Sequence, residues 1–377
     1  MASTILVIFE FLLVASFIAS FVVWFFVLRN RLVRSRQRTQ PNAAQETALP
    51  EETALPEGTA LPEEIASYGA VDRIAEALLP SRAREIPFWG IAEVLMMFGI
   101  MVVAGAVLMN AGISNGWIEK PSSKMVERES MDPTIAVETV TPEIVTPETV
   151  TPETIGAASA ISTVKPDSES PNPLPSITVS SIASLIALLA VVSWMNLIDR
   201  RAYRKISFTT TWADVRLGLI ASLMILPPVL LISAAVNYFV PYHHPTIDAL
   251  SNLTSFSAIM LLFVCTAVVT PVCEEMLFRV LLQGAMQGLA DRHVSQVQSD
   301  SDASEAVTYR PRAFWPLIAA SFIFAILHSG QGAAPIPLFF LSLGLGFLYR
   351  QTGRIAAPVI VHMVLNSLTL IQVMLEK

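Results

Sequence analysis

Three small groups of polar residues stand inside long apolar stretches of this chain. Glu274, Glu275 and Arg279 form the first, Phe324 with His328 the second, and His362 with Asn366 the third. Ionisable side chains are costly in hydrocarbon, and those that persist face a bundle interior or a wet cavity and do work there. Glu275 and Arg279 are four residues apart, so on a helix they share a face and can pair. Glu274 is turned about 100° away and is free to point elsewhere. One carboxylate can then be structural while its neighbour reacts. His362 and Asn366 also share a face at four-residue spacing, so both can address one point in a cavity. Two side chains converging in that way can form an oxyanion hole on a helix whose backbone donors are already used. Taken singly, each group also has a plain structural reading, as an ion pair within a bundle or a packed histidine.

These residues need elements to carry them, and composition says which kind. Of 377 residues, 53% are hydrophobic and 15% charged. That is too apolar for a soluble domain, so the lipid bilayer must serve as part of the solvent. The net charge of −7 reflects acidic residues concentrated in two low-complexity stretches and argues against nucleic acid as a partner. Cys265 and Cys273 lie about two helical turns apart in apolar sequence, which suits packing rather than a disulfide framework or a thiolate metal site.

Apolar segments run over 5–28, 88–109, 176–197, 216–240, 254–289, 313–329, 335–349 and 355–374. Most approach the roughly 20 residues that an apolar helix needs to cross about 30 Å of hydrocarbon. The expected fold is therefore all-α, a multi-pass bundle of about eight helices with two disordered linkers. The chain divides into an N-terminal anchor with a basic flank (1–38), a linker (39–87), one crossing (88–109), a second linker (110–175) and a membrane core (176–377). The first linker repeats a Pro-containing hexad from Glu46, and the second repeats Thr-Pro-Glu from Thr141, Thr146 and Thr151. Frequent proline and charge oppose regular structure in both.

Arg29, Arg31, Arg34, Arg36 and Arg38 follow the first apolar run, whose leading residues carry no side-chain charge, so it reads as a retained anchor with its arginines in the cytoplasm. Arg200, Arg201, Arg204, Lys205, Arg292, Arg310, Arg312, Arg350 and Arg354 then all fall on the same side if each segment crosses once. The short loops 241–253 and 330–334 contain no Lys or Arg. Segment 254–289 is too long for one bilayer core, about 54 Å as a straight helix, and Pro271 is the expected point of a break. Glu274 lies 15 residues before Leu289 and His328 lies 15 residues after Ala313, so both sit roughly 22 Å from the cytoplasmic ends of their segments.

The order Glu-Glu-x-x-x-Arg, Phe-x-x-x-His and His-x-x-x-Asn, each on its own apolar segment, resembles the CPBP family of intramembrane proteases. That family includes the type II CAAX prenyl endopeptidases and bacterial proteins linked to bacteriocin processing and immunity. The similarity covers roughly 210–374, including the stretch from Tyr349 to Pro358 that leads into the last motif. The resemblance implies an intramembrane endopeptidase acting on a membrane-associated protein or peptide. It implies that Glu274 and His328 activate water, that His362 and Asn366 stabilise the oxyanion, and that Arg279 holds Glu275 and the helix geometry. No His-Glu-x-x-His is present, the spacing that puts two zinc ligands on one helical face. Direct activation of water is the favoured reading, and a divalent metal such as zinc held by Glu274, His328 and His362 is the alternative. A catalytically silent immunity or scaffold protein of the same fold is the competing function. The expected location is a bacterial inner membrane, with a site open toward the cytoplasm.

Overall fold

The computed structural model describes residues 78–118, 173–206, 208–240, 250, 253–298 and 308–376, together with six positions between 14 and 22. Those six, from the expected N-terminal anchor, are all helical. The rest of the anchor and most of both expected linkers lie outside the described residues.

Seven helices of 12 residues or more are found among the described residues: α1 (Ile91–Ser114), α2 (Leu174–Ile198), α3 (Trp212–Phe239), the continuous α4 (256–298), α5 (Trp315–Ile326), α6 (Pro335–Thr352) and α7 (Ala356–Glu376). Five stretches, α1, α2, α3, Phe256–Asp291 and Ala356–Leu375, are long and apolar enough to cross a membrane. Their outward faces carry exposed large apolar residues, such as Leu95, Val103 and Val107 on α1 and Leu189 and Leu197 on α2. Such faces suit a lipid solvent, and the protein is an integral multi-pass membrane protein.

Local chemistry starts and stops these helices where the sequence changes character. At α3 the Thr211 hydroxyl accepts from the Asp214 backbone N–H at 3.3 Å, and Asp214 accepts from the Thr211 N–H at 2.8 Å, a reciprocal cap. Asp214 also pairs with Arg354 at 2.8 Å, which ties the start of α3 to the turn between α6 and α7. α6 stops at Gly353, whose φ of 63° is left-handed and open to glycine without a Cβ penalty.

Residues 78–87, the end of the stretch expected as linker, are ordered against the core. β1 (Arg84–Glu85) pairs antiparallel with β2 (Thr308–Tyr309), with Arg84 opposite Tyr309. Arg82 N–H donates to the Gln351 carbonyl at 2.8 Å, and Trp89 Nε1 donates to the Val280 carbonyl at 2.8 Å. The reason is composition: the repeats end before this point, and Trp89, 5% exposed, brings an aromatic anchor that packs into the main apolar cluster.

α4 runs through the middle of the bundle. Its Met276, Phe278, Val280 and Leu281 pack with Ala187, Val191 and Met195 of α2 and with Ala320 and Phe324 of α5. A second cluster joins α3, α6 and α7 through Leu226, Leu341, Leu345 and Val361. Pro271 does not break α4. The helix instead widens into π-helical turns at Val264–Val269 and Met276–Gln283, on either side of the α-helical Thr270–Glu275. Bonding to the fifth residue back already operates where the proline enters, since Thr270 N–H reaches the Cys265 carbonyl. Proline's missing donor therefore removes one bond of that ladder, the one that Thr266 would accept, and the chain continues.

α5 is shorter than expected. Its 12 residues span about 18 Å, and His328 sits just past its C-terminal end, in the turn that leads to a single 3₁₀ turn at Ser329–Gln331.

Candidate active site

The three groups singled out in the sequence meet where α4, α5 and α7 pack together. Glu275 and Arg279 are fully buried, and Arg279 Nε donates to Glu275 Oε2 at 2.8 Å. Arg279 Nη2 reaches Ser342 Oγ on α6 at 2.9 Å. The same guanidinium lies 5.5 Å from the centre of the Phe324 ring. A buried ion pair is stable only when further hydrogen bonds satisfy both partners, and these contacts provide them for all but Arg279 Nη1.

Glu275 Oε1 stands 3.0 Å from His362 Nδ1. A carboxylate can only accept, so Nδ1 carries the proton and Nε2 is turned to the other side of the ring. There it lies 3.7 Å from Glu274 Oε2, beyond hydrogen-bond distance. Glu274 is about a quarter exposed, at 25%, while His362 is buried. Glu275 thus orients the imidazole from behind, as outer-shell carboxylates do for working histidines.

His328 is half-buried, and its Nδ1 lies 2.7 Å from the Phe324 carbonyl oxygen. A carbonyl too can only accept, so Nδ1–H donates, and Nε2 is turned to the other side of the ring. Phe324 is the packing hub beneath all of this, with ring centres 4.7 Å from His328, 6.2 Å from His362 and 5.0 Å from Phe278.

Asn366 is used differently from its helical neighbour. Its Nδ2 donates to the Thr266 carbonyl at 2.9 Å. That is the carbonyl left without a partner by Pro271, so α7 mends the ladder of α4 at the turn before the two glutamates. One of the two amide protons is thereby committed and the other is not.

Besides the contact between Glu275 and His362, three further features were not found in the sequence. Ser342 lies 63 residues from Arg279, and nothing near it in the chain marks it as a partner. The bond between Asn366 and Thr266 spans 100 residues. Gln283 was legible in principle, because Glu275, Arg279, Gln283, Gln287 and Asp291 recur every four residues along α4, and all are 3% exposed or less. That stripe is the signal that a search for apolar segments passes over.

A metal can be tested against the donors present. Among the described residues, no three or more His, Cys, Asp or Glu side chains are gathered closely enough to hold a metal ion. Glu274, His328 and His362, the ligand set that a metal would need, are thus not gathered closely enough to hold one as they stand.

The fold and the site define a multi-pass membrane protein with a cluster of carboxylates and histidines between its helices. Residues 256–368 match a family model described as Type II CAAX prenyl endopeptidase Rce1-like, and this stretch is a domain of that family. Membership implies a protease and, with it, a peptide substrate. Comparisons with curated proteins and with solved structures give no match.

Proposed function

We propose that the domain hydrolyses a peptide bond in a membrane-associated protein or peptide, with Glu274 as general base. The observation that carries this reading is that Glu274 is a quarter exposed while its neighbour Glu275 is committed, and that His328 engages Phe324 through Nδ1. In this proposal Glu274 is ionised and His328 Nε2 unprotonated, and a water between them donates one hydrogen to each and turns a lone pair outward. That is the pose of a water ready to attack a carbonyl carbon.

In the reaction Glu274 takes a proton as the water oxygen bonds to the carbonyl carbon. The carbonyl electron pair moves onto oxygen, and His362, when protonated on both ring nitrogens, donates Nε2–H to that oxyanion. The uncommitted Asn366 amide proton is the second donor proposed there. Collapse of the tetrahedral species breaks the C–N bond, and Glu274 returns its proton to the leaving amine. Glu275 and Arg279 hold His362 and touch neither water nor substrate. By its family name the domain suggests a substrate with a prenylated C-terminal CAAX motif, and that finer assignment belongs to the same proposal.

The test is cleavage of a prenylated CAAX peptide and of an unprenylated membrane peptide by the purified protein, with Glu274→Ala and His328→Ala as controls. Loss of cleavage in both variants is expected. Retention of full activity in both would remove the assigned chemistry.

A further inference from the structure

The inward stripe of α4 continues past the site, where both glutamine side chains donate through Nε2 and leave Oε1 unpartnered. Gln283 Nε2 donates to the Gly346 carbonyl at 2.9 Å, and Gln287 Nε2 donates to Asp291 at 2.6 Å and to the Ala313 carbonyl at 3.1 Å. Next to the site, one donor and one acceptor are left over. Arg279 Nη1 and Gln283 Oε1 are both buried without a partner. Buried polar atoms are costly to leave unmet, and here a spare donor and a spare acceptor sit one helical turn apart. They also face the same spot on α6. A Cβ at Gly346 would lie 3.0 Å from Gln283 Oε1 and 3.7 Å from Arg279 Nη1.

We propose that Gln283 is a positioning residue of this site. Its Oε1 closes on Arg279 Nη1 beside the bare Cα of Gly346, directly or across one water. This completes the contacts of the guanidinium, whose Nε and Nη2 are held by Glu275 and Ser342. The pose of His362 is then set through three links, Gln283 to Arg279, Arg279 to Glu275, and Glu275 to His362. Gln287 provides the internal comparison, being the same residue type on the same stripe, with its Nε2 likewise engaged and its Oε1 likewise unpartnered, but two helical turns from Arg279. The contact itself stands on the geometry, and its effect on catalysis rests on the peptidase reading.

Two measurements on the full-length protein separate these. The first is the thermal midpoint of Gln283→Met, of Arg279→Lys, which keeps the Glu275 pair but lacks Nη1, and of the double variant. The contact predicts that the double variant loses clearly less than the sum of the singles, and strictly additive losses overturn it. The second is peptide cleavage, with Glu274→Ala as the blank. Gln283→Met should lower kcat at least about ten-fold, leave KM within about two-fold and displace the pH–rate profile. Gln287→Met should leave the profile where it was. Equal losses in Gln283→Met and Gln287→Met, with neither profile displaced, reduce Gln283 to a packing residue. If Glu274→Ala cleaves like the parent, the peptidase assignment falls, while the midpoint cycle still decides the contact.

Discussion

Glu274 and Glu275 are consecutive residues with opposite surroundings. Glu275 is fully buried, with one oxygen held by Arg279 and the other facing His362 Nδ1. Glu274 is a quarter exposed and stands 3.7 Å from His362 Nε2. A carboxylate whose oxygens are both engaged has little left to offer a substrate water. One that is partly exposed, with His362 nearby, has its lone pairs available. The difference separates support from chemistry more firmly than residue type does, and it arises from a rotation of about 100° between neighbours on one helix.

The largest expected effect comes from the supporting side. Arg279→Met leaves the Glu275 charge buried with only His362 beside it, which should cost about 3–5 kcal/mol of stability and abolish cleavage with it. Thermal unfolding in detergent measures this. A loss below about 1 kcal/mol would mean that Glu275 is not held by this pair.

Glu274→Gln tests the reacting side. Its shape is kept and its basicity removed, so kcat should fall about 10²- to 10⁴-fold while the thermal midpoint stays close to the parent's. If the midpoint collapses together with the rate, the contrast between the two glutamates is lost.

Asn366→Ala falls between the two. It strands the Thr266 carbonyl, at about 1–3 kcal/mol, and removes one proposed oxyanion donor. A stability loss without a change in kcat would assign Asn366 to the π-helical turn alone. The smallest effect is expected far from the cluster, at Thr211→Ala, where loss of the α3 cap should cost about 1 kcal/mol and leave cleavage unchanged. A rate loss there would show that the Asp214 and Arg354 pairing carries strain into the start of α7.

Much of this was legible in the chain. The apolar segments were readable because lipid-facing helices need long runs of one character. Pairing of Glu275 with Arg279 followed from four-residue spacing alone. Pro271 misled because its missing donor was weighed against an α-helical ladder, and the structure answers with π turns and a side chain from α7. His328 was expected inside a helix. Its helix ends at Ile326, and the ring is held instead by the Phe324 carbonyl four residues back.

What the sequence determined by itself was local: which residues share a helical face, which segments must lie in lipid, and which neighbours can pair within one turn. Only the tertiary structure decided that His362 turns Nδ1 to Glu275 across 87 residues, that Asn366 serves Thr266 across 100, and that Ser342 completes Arg279 across 63. Spacing along a helix specifies direction about its own axis. Which partner waits in that direction depends on how each helix is rotated and how closely it packs, and these are set by the apolar clusters on both sides of α4.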